Sequence, residues 1–130
     1  MIDDVRLALR RLTVEVQKGG RNLKEAIDAS PFALLVADDS GSFVMANRAA
    51  SSLTGYSPSE LLKLSVWQIT PDVYEREAET LWRAFIQHSE QSGTYRVLRK
   101  DGSTVVSAYA ARTNVVRGFH VSILSEPLEP

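Results

Sequence analysis

Apolar positions recur through residues 2–18 in alternating steps of three and four, at Ile2, Val5, Leu9, Leu12 and Val16. This is the a/d spacing of a coiled-coil seam and predicts an amphipathic helix. Asp3 and Asp4 near its start and Lys18 at its end complement the helix dipole, and Gly19-Gly20 ends it. The run covers barely two heptads, too few to stand alone in water, so it must lie on the body of the domain or on a second chain.

The rest of the chain alternates between the two periods. Asn22 and Glu25 form a capping-box pattern ahead of a short helix over 23–28. After Pro31, the apolar run 32–37, the turn residues Asp38-Asp39-Ser40-Gly41 and the run 42–46 predict a hairpin. A short helix over 49–53 stops at Gly55, and Ser57-Pro58-Ser59-Glu60 starts another. Thr70-Pro71-Asp72 repeats that start signal for a longer helix reaching about Ser89. Tyr74, Ala78, Leu81, Phe85 and His88 trace one face of it, with Trp82 and Ile86 beside them, while Glu75, Glu77 and Glu79 read as its solvated side. Strands over 93–100 and 103–112 flank the Asp101-Gly102 turn. A last strand, 119–124, carries Phe119, Val121 and Ile123 on one side, and the Pro-rich tail should be loose. Helices clustered between antiparallel hairpins predict an α+β domain whose helices cover one face of the sheet. The division is a flanking helix over 1–20, the domain over 21–125 and a flexible tail over 126–130.

Composition narrows the class. A length of 130 residues with 44% apolar and 24% charged side chains describes one ordinary globular domain, which excludes wholesale disorder. A net charge of −1 supplies no phosphate-neutralising excess, so direct nucleic-acid binding is not expected. The absence of cysteine removes disulfides and thiolate chemistry together. No apolar run approaches the roughly 20 residues that span a bilayer, and the acidic N-terminus does not read as a signal peptide. The expected location is the cytoplasm. No phosphate loop, nucleophile elbow, metal cluster or triad is present, so no enzymatic activity is expected.

The run AIDASPFALLVADDSGSFVMANRAASSLTGYSPSELL, the segment VWQITPD, then GTYRVLRKDGSTVV and GFHVSIL together resemble the PAS domain family over about residues 26–124. The resemblance implies a PAS fold, a five-stranded antiparallel sheet in the order 2-1-5-4-3, with an N-terminal flanking amphipathic helix. It implies a sensor that binds a small ligand between sheet and helices. Such a sensor signals through a flanking helix to a partner or output domain, such as a kinase of a two-component system or a DNA-binding transcription regulator. A ligand-free dimerisation scaffold is the alternative. Within the family pattern Asn47 ties the second strand to the following helix, Gly55 turns the chain with Tyr56 packed beneath it, and Asp101-Gly102 makes a tight turn.

The family's chemistries can be tested against the residues present. Covalent flavin and coumarate sensors need a cysteine, which this chain lacks. Haem sensors place a histidine on the long helix where this chain has Ala78, and His88 and His120 read instead as a helix-end residue and an outward strand residue. Non-covalent flavin, or a small apolar or acidic ligand, stays open. Trp67, Trp82, Phe85 and Tyr95 fit either a pocket wall or plain core. Ser107 and Tyr109 can offer hydroxyls, and Arg112 can offer a cation to an acid. The candidate pocket set is Asn47, Trp67, Ala78, Leu81, Trp82, Phe85, Tyr95, Val97, Ser107, Tyr109 and Val121. The seam Ile2, Val5, Leu9, Leu12 and Val16 is expected to build a homodimer, against the alternative of a cap over the sheet's outer face. Where the family often ends its last strand in Asp-Ile-Thr, this chain reads Leu124-Ser125-Glu126-Pro127, which leaves open whether the signal leaves through the N-terminal helix or continues beyond this end.

Overall fold

The computed structural model describes residues 2–71 and 75–128. Asp72 of the expected start signal, Tyr74 of the expected helix face and the side chain of Glu75 lie outside the described residues. The elements run α1 (Ile2–Gln17), α2 (Leu23–Ala29), β1 (Ala33–Ala37), β2 (Phe43–Ala46), α3 (Arg48–Thr54) and α4 (Pro58–Leu61). A 3₁₀ turn (Val66–Ile69), α5 (Glu75–Ile86), β3 (Glu90–Leu98), β4 (Thr104–Val116) and β5 (Phe119–Leu124) follow. Capping boxes at Asn22/Glu25 and Ser57/Glu60 start α2 and α4, as their spacing predicts. Gly55, in the left-handed conformation at φ 80°, ends α3.

The five strands pair antiparallel in the order β2-β1-β5-β4-β3, the order implied by the resemblance. Every residue of β1 is buried, because this central strand is covered on both faces. On the inner face Leu35, Ala37, Val97 and Leu124 pack with Leu53 of α3, Leu61 of α4 and Ile69 of the 3₁₀ turn. On the outer face Leu34, Val36, Val121 and Ile123 pack with α1 and α2. Ala108 and Ala110 of β4 face α1, and their small side chains let the helix approach the strand closely.

The α1 seam therefore has a partner within its own chain. Val5, Leu9 and Leu12 are buried in the outer-face cluster, and Ile2 and Val16 are packed against it. A second chain would have to meet the opposite side of the helix, where Leu7 and Val14 are exposed.

The 3₁₀ turn was not expected from the sequence, although Ser65 and Gln68 have the capping-box spacing and Ser65 N–H donates to Gln68 Oε1 at 2.7 Å. Its approach segment donates Val66 N–H to Gly41 O and accepts Phe43 N–H at Leu64 O, which covers the free edge of β2. α5 stops at Ile86 instead of about Ser89, because Gln87 and His88 close the helix with tighter bonds to Ala84 O and Phe85 O. β4 runs four residues beyond Arg112, to Val116, through an irregular stretch in which Asn114 sits at φ 52°. The start of the tail is held to β4, with Ser125 N–H on Ala108 O at 2.9 Å and Leu128 N–H on Val106 O at 2.7 Å.

Candidate functional site

A cleft of about 340 Å³ lies between the inner face of the sheet and the helical segment 66–88. Trp67, Ala78, Leu81, Trp82 and Phe85 form its helical wall, and Tyr95 and Tyr109 rise from the neighbouring strands β3 and β4. Leu35, Phe43 and Leu124 make its floor, with Thr70, Gln91, Ser122 and His88 supplying polar groups. Seven of the expected pocket residues thus meet in one place.

Local chemistry fixes the aromatic wall. Gly41 turns the β1–β2 hairpin at φ 85°, and a Cβ there would come within 2.6 Å of the Trp67 ring. Only glycine permits both the conformation and the contact. Trp82 donates its indole N–H to Asp39 O at 2.8 Å, which ties α5 to the same hairpin. Its ring lies 5.1 Å from Phe85 and 5.7 Å edge-on from His120, and Tyr95 meets Tyr109 edge-on at 5.8 Å.

Hydroxyl groups make the polar end of the cleft. The Thr70 hydroxyl donates to Val66 O at 3.0 Å and also bonds the Tyr95 hydroxyl. Either hydroxyl can be the donor in the second bond. Burial raises the Tyr95 pKa, with the Thr70 bond opposing, and burial alone raises that of Tyr109. Both phenols therefore stay neutral at physiological pH. No Lys, Arg, Asp or Glu is among the described lining residues.

The other candidates are elsewhere. Asn47 is buried beneath α3, where its side chain accepts from Leu34 N–H and Ala50 N–H and donates to Ile27 O and Phe32 O. It joins α2, β1 and α3 and does not reach the cleft. Val97 is inner-face core, and Ser107, though buried on that face, leaves its Oγ without a hydrogen-bond partner among the described residues. Val121 faces α1 across the outer cluster. Arg112 is drawn to Glu90 at 3.7 Å and is not among the described lining residues, so the cation expected for an acidic ligand is engaged elsewhere.

His120, expected to point outward, is 2% exposed. β5 is covered on both faces, and this residue takes the inner side. Its Nδ1 accepts Asn114 N–H at 3.1 Å, so Nε2 carries the proton and donates to Asp39 Oδ1 at 2.8 Å. His88 lies just past α5, exposed at the rim of the cleft. Ala78, at the family's haem-ligand position, has no donor atom, and no Lys or Arg is among the described lining residues.

Thr70, Gly41 and Gln91 were missed by the sequence reading. Thr70-Pro71 reads as a helix start, and its pairing with a tyrosine 25 positions away has no local signal. A second, larger groove of about 900 Å³ lies between the α2–β1 connection, α3 and residues 125–127. Phe32 is the one aromatic among its described lining residues, and Asp28, Arg48 and Glu126 give it charged groups.

Among the described residues no helix is long and apolar enough to cross a membrane. The PAS domain family profile matches residues 31–124. Sporulation kinase E of Bacillus subtilis (strain 168) is 21% identical over 106 residues, which are 82% of this chain and 14% of that kinase. This chain thus spans about a seventh of that relative's length. A domain of a sensory box sensor histidine kinase/response regulator from Geobacter sulfurreducens superposes with a TM-score of 0.69 at 15% identity, covering 87% of this chain and 96% of that one. The PAS domain of a LuxR-family transcriptional regulator from Burkholderia thailandensis, solved in complex with ethanol, superposes with a TM-score of 0.63 at 17% identity, covering 81% and 96%. With its profile matched over most of its length and its sheet in the family's strand order, this chain belongs to the PAS domain family.

Proposed function

We propose that this PAS domain is a cytoplasmic, non-enzymatic sensory module that binds a small molecule in the helix-side cleft and reports occupancy through α1 to an output domain. The observation that carries this reading is the cleft itself, at the small end of the roughly 300–1,000 Å³ typical of ligand sites and walled by aromatic side chains that local bonds hold in place. The similarity to sporulation kinase E and the Geobacter protein supports a histidine kinase output; the Burkholderia regulator supports a DNA-binding one as the alternative.

Contacts that run from the cleft to α1 support this reading. α5 closes the cleft and is tied to the β1–β2 hairpin through Trp82, and Asp39 of that hairpin holds His120 on β5. The other side of β5 packs under α1 through Val121 and Ile123. Homodimerisation through α1 remains part of the proposal, with contact moved from the buried seam to Leu7 and Val14, which lie two turns apart and about half exposed.

The test is hydrogen exchange on Ala78→Trp, which fills the cleft at a residue 4% exposed. Exchange of α1 amides should change although α1 lies on the opposite face of the sheet. A change confined to α5 and the cleft strands would reject the route to α1.

A further inference from the structure

Resting on the proposed homodimer and not on the cleft, we infer that the outer edge of β3 is a self-pairing surface. A second copy of this chain lays its own β3 antiparallel along that edge, about a two-fold axis at Gly93.

The edge is long and regular. β3 ends the sheet, and its nine residues pair with β4 without a register shift. The other end of the sheet is closed, since the segment before the 3₁₀ turn bonds along β2. On β3, Gln91, Ser92, Thr94 and Arg96 are exposed. The strand carries no proline or bulge to blunt it, only the charges of Glu90 and Arg96.

The phase of the hydrogen bonds selects the residues that pair. At one end of the ladder Arg99 N–H donates to Ser103 O, and at the other Thr113 N–H donates to Ser89 O. Antiparallel pairs alternate between bonded and unbonded, so the odd-numbered residues of β3 direct their backbone groups to β4. Glu90, Ser92, Thr94 and Arg96 therefore turn N–H and C=O toward the outer edge. Thr94 stands opposite Ala108 and Ser92 opposite Ala110, which places these side chains on the outer face with α1.

Charge fixes the register. Several symmetric registers join these residues, and only the one centred on Gly93 sets Glu90 opposite Arg96 of the second copy. The two-fold axis repeats that pair, and Ser92 then meets Thr94, so about eight backbone hydrogen bonds form. Glu90 already draws Arg112 at 3.7 Å, and its two carboxylate oxygens can accept from both guanidinium groups. A two-fold axis normal to the sheet keeps its faces, so the two α1 helices lie on one side of a continuous sheet.

Sedimentation velocity over a concentration series reads the pairing. Arg96→Glu and Glu90→Arg should each weaken the dimer at least about tenfold, because each turns two attractive pairs into repulsive ones. An equimolar mixture of the two variants should dimerise at wild-type strength, since every pair across the joint is again opposite in charge. Circular dichroism of each variant separates lost pairing from lost folding. The chain has no cysteine, so Ser92→Cys mixed with Thr94→Cys should form a disulfide-linked dimer faster than either variant alone. A mixture that fails to recover, or equal linking by the single variants, overturns the register and the pairing with it. Charge variants that dimerise like the wild type, while Leu7→Glu does not, overturn the β3 joint and leave a dimer through α1. A wild type that stays monomeric to about 1 mM overturns both dimers, leaves the edge to a strand of another protein, and does not touch the cleft reading.

Discussion

Leu9→Ala measures how firmly α1 belongs to its own sheet. Leu9 is fully buried in the middle of the seam, in one cluster with Val5, Leu12, Ala108, Ala110 and Val121. Truncating a buried leucine removes its transfer free energy and leaves a cavity, costing about 2–5 kcal/mol. The helix lies on alanines and can settle little further, which places the cost near the middle, at about 3 kcal/mol. For a domain of this size that is roughly a 9–15 °C fall in thermal midpoint. Leu7→Ala, on the exposed side of the same helix, should change stability by no more than about 0.5 kcal/mol. Paired urea and thermal unfolding of the two variants read this directly. If Leu9→Ala unfolds at the wild-type midpoint, α1 is not packed on this sheet and its seam serves another surface. Leu9→Glu should cost more still, because it buries an unpaired carboxylate. It should unfold the domain, not merely split a folded dimer.

Three other perturbations probe the supports of the cleft. Asn47→Ala removes four hydrogen bonds, one of them the α3 N-cap, from a side chain 3% exposed, and should cost about 3–5 kcal/mol in urea unfolding; a loss below about 1 kcal/mol would show that water replaces those bonds. Gly41→Ala drives a Cβ into Trp67 and demands a left-handed alanine, so it should lower the thermal midpoint and red-shift tryptophan emission; unchanged emission would mean that Trp67 is not seated on the hairpin. Glu60 is held at a pKa of about 2, foremost by its hydrogen bond from Lys100 and then by the Ser57 backbone N–H. A lowered folded-state pKa stabilises above the ordinary carboxylate range near 4.5 and loses that contribution as pH falls toward 2. The stability gap between wild type and Glu60→Gln should therefore narrow from pH 6 to pH 2.5, and a constant gap would refute the assignment.

Features written in local chemistry were legible in the sequence. The Asn22 and Ser57 capping boxes, the Gly55 stop and the Asp101-Gly102 turn each depend on residues within four positions of one another. The family resemblance supplied the strand order, which the described sheet follows. Partnership across distance was not legible. The a/d pattern of α1 is the same whether its partner is a second helix or the alanine-lined face of β4. β5 is buried on both sides, so alternation could not say that Val121 faces α1 while His120 faces inward. The aromatic residues of the helical segment were legible as pocket candidates because they share a face. Thr70 was hidden, since its role depends on Tyr95 arriving from β3.

The central claim is that the cleft between sheet and α5 holds a small molecule. Native mass spectrometry of freshly purified protein, beside its denatured mass and beside Ala78→Trp, tests it most directly. The account predicts a retained extra mass on the wild type, released on denaturation and absent from the filled variant. A bare wild-type chain, or a retained mass that persists in Ala78→Trp, would contradict it.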